Sequence, residues 1–431
     1  MRKLIRLSVV TAALLTVFLF CACSGKAGGA PEEKYGIRNS VTVRSDGGSV
    51  EYICVGEGTD EDTVFELGSN GKTVAAYVAL KMADEGILDL DESIYPYLDE
   101  ELKTTDPRMK DITLRQLLCH TAGFSPSYEL GIDKKIYTDP GEQFRYSGVG
   151  YIYLQNVIEN ASGMTMDQAA ANYVFGPLRM ENSTFESTKT ITPYMNAGNA
   201  VLYSMLIFVL SLIVLIIPAA VICKITKFKF RKAFVICYLA AGVINTVFLL
   251  FIFVSKVFVL FLIFFGICGA ALFMVKKHTK LFYLSVPLLT VAVFAAGFIL
   301  PVSIPVTNDL IAKQANCAYS FRSTAHDMAI FCNELMERAK DPDDAMGSMF
   351  APAVLIDDNN SWGLGVAIET ENGSTTYWHS GINPGFQSLY VLEPEEDRYI
   401  VILTNSDFGL DYSIEEARSF LGSSWQWQIK R

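Results

Sequence analysis

The chain has 431 residues, which is enough for one large domain or two ordinary ones. Its hydrophobic fraction of 51% and mean hydropathy of +0.29 are high for a protein that lies wholly in water, so part of it is predicted to lie in a membrane. The formal net charge of −11 argues against nucleic acid as a partner, because a polyanion attracts basic surfaces.

Residues 1–22 have the layout of an export signal: three basic residues precede an apolar run, and small residues follow it. The stretch FCACSG at its end resembles a bacterial lipobox, in which a cysteine receives the lipid and becomes the mature N-terminus. Cys23 fits that position, although Phe20 stands where the pattern prefers a branched aliphatic residue. An uncleaved anchor or ordinary cleavage is the alternative. Residues 23–40 are interpreted as a linker.

Residues 41–200 read as alternating strands and helices on the exported side. The stretch NSVTVRSDGGSVEYICVG predicts a hairpin with a DGG turn, and KTVAAYVALKMADEGIL has the periodicity of a helix. The stretch ELGSNGKT lies where that helix begins. Ser69 there could be a helix cap, or it could be a nucleophile whose base is Lys72, because residues three apart share one face of a helix.

Residues 201–300 predict four transmembrane helices, because four apolar runs are each close to the roughly 20 residues that cross a bilayer. The first and third connectors are rich in Lys and Arg, which places them in the cytoplasm and both flanks outside. The runs span about 201–223, 233–255, 257–275 and 281–300 and contain no charged residue in their cores. That pattern favours an anchor or packing bundle over an ion path.

Acidic residues are the clearest feature of the exported parts, ahead of any cofactor motif or disulfide candidate in their sequence. All 46 acidic residues lie outside the signal and the membrane block. No His, Cys or Glu cluster has metal-ligand spacing and no glycine loop suggests a nucleotide, so no cofactor is predicted. Four cysteines lie in the exported parts and could form two disulfides or stay free thiols: Cys54, Cys119, Cys317 and Cys332.

Five stretches resemble, in order and spacing, the serine beta-lactamase-like family, which includes class C beta-lactamases, penicillin-binding proteins, D-alanyl-D-alanine peptidases and related esterases. They are TVFELGSNGKTVAAYVALKMADEGILDLDESIYPYL, ITLRQLLCHTAGF, PGEQFRYSGVGYIYLQNVIENASGMT, SWGLGV and WHSGINPGFQS. The resemblance implies an α/β (α+β) fold, in which an antiparallel sheet is flanked by helices and joined by a helical subdomain. Residues 41–200 and 301–431 would be its two halves, closing into one domain around the membrane block.

The resemblance also implies roles for individual residues. Ser69 would be the acyl-forming nucleophile, Lys72 its activating base, and Tyr146 of YSG the tyrosine that helps move the proton. The backbone N–H groups of Ser69 and Ile382 would bind the oxyanion. His379, Ser380 and Gly381 match the strand that walls the site.

Several positions depart from the family pattern. Gly148 stands where the family has the asparagine that binds the substrate's side-chain amide and helps fix the lysine, which leaves the specificity open. Tyr319 and Phe321 would narrow the pocket. His120 of LLCHTAG matches a family signature, and a structural role is favoured for it over a catalytic one.

The sequence therefore predicts a membrane-anchored serine hydrolase that works through an acyl-enzyme at Ser69, on the outer face of a bacterial cell membrane. Its partners would be the lipid bilayer and a small-molecule or cell-wall peptide or ester substrate. The alternative is a sensor that acylates slowly or only binds penicillin-like ligands, with the membrane helices relaying occupancy inward.

Overall fold

A computed structural model describes residues 31–126, 132–196, 303–305, 315–341, 345–422 and 425–428, with five isolated positions between 201 and 300. The chain divides into two compact units. The first comprises Met1–Gly36 and Thr192–Leu310, and the second comprises Ile37–Ile191 and Ile311–Arg431. The predicted signal, Cys23 and the four predicted transmembrane runs lie outside the described residues, apart from those isolated positions. Among the residues described, no helix combines the length and apolar character needed to cross a bilayer.

The strands, in chain order, are β1 (Ser40–Asp46), β2 (Ser49–Val55), β3 (Phe65–Gly68), β4 (Tyr194–Asn196), β5 (Ser303–Pro305), β6 (Phe321–Ser323), β7 (Val354–Leu355), β8 (Asn360–Trp362), β9 (Ala367–Glu371), β10 (Ser374–Asn383), β11 (Phe386–Glu393) and β12 (Arg398–Thr404). The helices are α1 (Pro31–Tyr35), α2 (Gly71–Asp84), α3 (Leu114–Leu118), α4 (Gly148–Ser162), α5 (Met166–Ala170), α6 (Gly176–Leu178), α7 (Ala325–Lys340) and α8 (Gly409–Leu421).

In the first unit the described elements are the five-residue helix α1 and one antiparallel pair, β4 with β5. The helix lies inside the segment interpreted as a linker. In β4 and β5, Tyr194 pairs with Pro305 and Asn196 with Ser303.

The second unit is built on an eight-stranded antiparallel sheet in the order β2-β1-β12-β11-β10-β9-β8-β7. Its first two strands form the predicted hairpin: Asp46 pairs with Ser49, and Gly47 and Gly48 between them both have positive φ, as a two-residue hairpin turn requires. β1 also pairs with β12, from Ser40 with Thr404 to Asp46 with Arg398. An N-terminal strand thus pairs with a C-terminal strand, as two halves that close into one domain require.

A second sheet consists of the two strands β3 and β6, and Ser69 directly follows the end of β3. β3 has four buried residues and ends at Gly68, whose positive φ turns the chain toward helix α2. That helix is buried from Gly71 to Leu80, so its first turn lies inside the unit rather than at its surface.

The cysteines outside the signal and the membrane block are free thiols in the structure: Cys54, Cys119, Cys317 and Cys332. Cys54 is exposed and the other three are buried. Burial raises the pKa of the Cys317 thiol to about 12, which keeps it protonated and unreactive at neutral pH. Of the two alternatives left open by the sequence, the structure has the free thiols.

Candidate active site

Ser69 lies between β3 and α2, with its side chain against Lys72. The Lys72 Nζ donates to Ser69 Oγ over 2.9 Å, and the lysine is only 2% exposed. Ser69 does not cap the helix: the cap residue is Asn70, and it makes no side-chain capping bond. The cap interpretation of Ser69 is therefore wrong, because its hydroxyl is directed at the lysine rather than at the helix amides.

The second partner of Lys72 is a main-chain carbonyl that sequence reasoning missed. Lys72 Nζ donates to the Ala318 carbonyl oxygen over 2.5 Å. The turn that carries Ala318 is held in place by the Cys317 amide, which donates to Gln155 Oε1 over 3.0 Å, and by Ser320 Oγ, which donates to the Phe185 carbonyl over 2.7 Å. Two acceptors thus fix the amine beside the hydroxyl.

Tyr146 stands over the same amine. The Lys72 Nζ lies 5.3 Å from the centroid of its ring, within the range of a cation–π contact. The ring of Tyr146 also lies 4.4 Å from that of His120 and 6.2 Å from that of His379, centroid to centroid. The structure thus brings Tyr146 and Lys72 together, as the sequence predicted.

Strand β10 passes close to the turn that carries Ser69. A Cβ atom at Gly381 would lie 1.7 Å from the Leu67 carbonyl oxygen, so only glycine lets the two backbones approach this closely. A Cβ atom at Gly68 would lie 2.9 Å from the Ile382 amide nitrogen. The Ile382 amide therefore lies beside the Ser69 turn, while the Ser69 amide donates to no group in the described part of the chain. These are the two amides predicted to bind an oxyanion.

The other residues of the predicted wall lie along the same strand. His379 is 3% exposed, with its Nδ1 2.8 Å from the Ser380 carbonyl oxygen, and Ser380 is half-buried. The Ile382 side chain is 50% exposed. An apolar side chain therefore faces solvent at the mouth of the site.

Gly148 is the first residue of α4 and supplies no side chain to the site. Its amide donates to the Pro126 carbonyl over 3.1 Å, and Ser147 before it caps the helix by accepting from the Gly150 amide over 2.8 Å. Among the described residues, Lys72 Nζ donates to Ser69 and Ala318 and makes no hydrogen bond to position 148.

Phe321 does not narrow the pocket. It is fully buried in β6 and packs against the rings of Phe185 and Phe175 at centroid distances of 5.3 and 6.0 Å. The expectation for Phe321 is wrong, because a three-residue strand gives too little periodicity to show which face a side chain occupies. Tyr319 is half-buried, and its carbonyl accepts from Asn383 Nδ2 over 3.0 Å.

Sequence reasoning also missed a buried ion pair between β3 and β6, next to the strand end that leads into Ser69. Arg322 on β6 donates to Glu66 on β3 over 2.9 Å, and the two side chains are 2% and 3% exposed. The other oxygen of Glu66 accepts from Asn383 Nδ2 over 2.9 Å. Burial raises the pKa of the Glu66 carboxyl, and the charge of Arg322 acts in the opposite direction. This network ties the end of β10, next to Ile382, to the strand that leads into Ser69.

Burial lowers the pKa of His120 well below its ordinary value, and the charges that Lys72 and His379 carry when protonated act in the same direction. Below pH 6.5 the unfolded chain protonates this imidazole while the folded protein keeps it neutral. The stability that the neutral imidazole contributes is therefore fully present above pH 6.5 and is lost as the pH falls below it. Between pH 7.5 and 5.5 we expect wild type to lose about 1.4 kcal/mol more unfolding free energy than His120→Asn. Urea unfolding at both pH values measures this, and equal losses would contradict it.

Comparisons with known proteins agree with this architecture. The family model described as Beta-lactamase matches residues 33–199 and 304–419, which is more than half of the chain. The protein flp of Staphylococcus aureus (strain MW2) is 27% identical over 143 residues, which cover 29% of each chain. The chain thus spans about three tenths of the length of these curated relatives.

Solved structures share the fold at low identity. A class C beta-lactamase has a TM-score of 0.58 and 15% identity, and the match covers 92% of this chain and 93% of that one. The D-amino acid amidase from Ochrobactrum anthropi SV3 has a TM-score of 0.56 and 16% identity, covering 91% of this chain and 96% of that one. With the family model matching both parts of the second unit, the chain belongs to the beta-lactamase family of serine hydrolases.

Proposed function

We propose that this chain is a serine hydrolase that forms an acyl-enzyme at Ser69. The observation that carries the proposal is the 2.9 Å hydrogen bond between Lys72 Nζ and Ser69 Oγ, made by a lysine that is almost fully buried. A nucleophilic serine needs a base within hydrogen-bonding distance, and Lys72 meets that requirement.

In the first step Lys72, as the neutral amine, takes the proton from Ser69 Oγ while that oxygen bonds to the carbonyl carbon of the substrate. The carbonyl oxygen becomes an oxyanion, which the amides of Ser69 and Ile382 stabilise. The bond to the leaving group then breaks, and the leaving group takes the proton from Lys72, with Tyr146 as the relay. Water, deprotonated by the same groups, releases the acid and restores Ser69.

The proposed substrate is an amide or ester of the cell envelope. Amide-cleaving proteins, among them the D-amino acid amidase, share the fold, which supports a carboxylic acid derivative as the substrate class. At position 148 glycine replaces the asparagine whose side-chain amide binds acylamido substrates in the family. An ester without an acylamido group would not need that hydrogen bond, so an ester is the favoured substrate.

We also propose that residues 201–300 form four transmembrane helices and that Cys23 carries a lipid, so that the site faces the outside of the cell close to the bilayer. The apolar runs and the basic connectors support this orientation. Replacing residues 201–300 by a soluble loop should keep activity on a small soluble ester and abolish it on native envelope material. Equal activity on both substrates would contradict the membrane proposal.

The acyl-enzyme is tested by intact-protein mass spectrometry after exposure to a fluorophosphonate and, separately, to a fluorescent penicillin. We expect wild type and Ser49→Ala, a control at an exposed hairpin serine, to gain the mass of one adduct, and Ser69→Ala to gain none. Decay of the penicillin adduct with time marks a hydrolase, and a stable adduct marks the alternative, a sensor that does not turn over. No adduct in wild type with either probe would overturn the proposal of a nucleophilic Ser69.

A further inference from the structure

His120 holds both main-chain amides that flank Tyr146. Its carbonyl oxygen accepts from the Arg145 amide over 2.8 Å, and its Nδ1 accepts from the Ser147 amide over 3.2 Å. One residue therefore fixes the backbone on either side of Tyr146. The ring of His120 also lies 4.4 Å from the ring of Tyr146.

The surroundings of the imidazole favour this role. His120 is 2% exposed, and the rings of Tyr151 and Trp362 lie 5.1 and 4.9 Å away, centroid to centroid. Burial lowers its pKa well below the ordinary value, so the ring is neutral and Nδ1 is available as an acceptor. The proton of the neutral ring is then on Nε2, which has no hydrogen-bond partner among the described residues and is surrounded by aromatic rings.

The backbone conformation of His120 is one that glycine or asparagine would adopt at lower cost if the residue did no more than end helix α3. His120 follows the last residues of α3 with a φ of 58°, the left-handed conformation in which glycine or asparagine commonly ends a helix. A histidine there carries a conformational cost that glycine would avoid. The acceptor at Nδ1 is what the imidazole adds at this position and glycine cannot supply.

We propose that His120 is a positioning residue for Tyr146: by accepting from the Arg145 and Ser147 amides, it fixes the tyrosine above Lys72. Among the described residues its Nδ1 accepts from the Ser147 amide and its Nε2 has no hydrogen-bond partner, so in this proposal the ring exchanges no proton with the reacting atoms. It acts only through the geometry of Tyr146, and its effect on the reaction rests on the proposed function of Ser69, Lys72 and Tyr146.

The test compares two substitutions that both tolerate positive φ and both remove the aromatic ring. His120→Asn keeps an acceptor, Oδ1, at the position of Nδ1, and His120→Gly removes it. We expect His120→Gly to acylate with the fluorophosphonate about 10- to 100-fold more slowly than wild type, because small misplacements of a catalytic group cost that much. His120→Asn should acylate at least tenfold faster than His120→Gly. Equal rates for the two variants at matched melting temperatures would overturn the proposal.

A double-mutant cycle shows whether the effect passes through Tyr146. In a Tyr146→Phe background, which lacks the hydroxyl that His120 is proposed to position, exchanging Asn for Gly at position 120 should change the rate less than about threefold. The same large change in both backgrounds would show that His120 acts on another group, contradicting the proposal.

A measurement without catalysis separates this proposal from the proposed function. Hydrogen exchange of a peptide that contains the Arg145 and Ser147 amides should be faster in His120→Gly than in His120→Asn or wild type. Absence of any adduct in wild type would overturn the hydrolase and leave this readout intact. Unchanged exchange in His120→Gly would overturn the positioning role even if Ser69 is acylated.

Discussion

Replacing Lys72 by methionine is expected to slow acylation of Ser69 by about a thousandfold, because general-base catalysis by a positioned side chain contributes roughly 10²- to 10⁴-fold. Methionine has a similar length and remains apolar, so it can occupy the buried position next to the rings of Tyr146 and Tyr151. What it cannot do is accept the proton of Ser69 Oγ. The second-order rate constant with the fluorophosphonate, followed by intact mass, measures the effect.

Two further variants separate the base from the charge. Lys72→Arg keeps a positive charge, but a guanidinium stays protonated in proteins and cannot act as a base, so this variant should be as slow as Lys72→Met. Lys81→Arg, near the end of the same helix, should acylate at the wild-type rate. If Lys72→Arg reacted within tenfold of wild type, the base would have to be another group, and Tyr146 would be the first to examine.

The parts of the site that could be predicted from the sequence are those encoded by local spacing. Ser69 and Lys72 are three residues apart, and the turn in which the Lys72 amide donates to the Ser69 carbonyl over 3.0 Å brings their side chains together just before and inside the first turn of α2. The hairpin of β1 and β2 follows from Gly47 and Gly48, because few residues other than glycine adopt positive φ easily.

The parts that were missed depend on contacts between distant segments. The acceptor of Lys72 is the main-chain oxygen of Ala318, and every residue has such an oxygen, so its residue type carries no signal. Glu66 and Arg322 are 256 positions apart, and neither shows from its neighbours that it is buried. The sequence favours a structural role for His120, but it does not show the contact with both amides around Tyr146. That contact depends on residues 120–126 and 145–148 lying side by side in the fold.

Replacing Arg322 by methionine is expected to lower the free energy of unfolding by about 3 to 5 kcal/mol, the usual cost of removing one partner of a buried ion pair. The substitution leaves the Glu66 carboxylate inside the protein without its cation. It also removes the donors to the carbonyls of Glu186 and Ser320, the latter at the end of the turn that carries Ala318. Urea unfolding at pH 7 measures the loss. Arg115→Met is the matched control, since its pair with Asp91 is solvent-exposed and should contribute at most about 1 kcal/mol.

The dependence on pH identifies the unpaired carboxylate as the cause. Arg322 lowers the pKa of Glu66 against the upward effect of burial, so its removal raises that pKa further. A raised pKa in the folded state means that stability is fully present below the pKa of the unfolded carboxyl, near 4.5, and is lost as the pH rises through the folded value. Arg322→Met should therefore lose more stability, relative to wild type, at pH 8 than at pH 5. Adding Glu66→Gln removes the charge and keeps an acceptor for Asn383, so the double variant should be more stable than Arg322→Met alone at pH 8 and lose that advantage at pH 5. A deficit that stays the same at both pH values would mean that lost packing, rather than the buried charge, destabilises the variant.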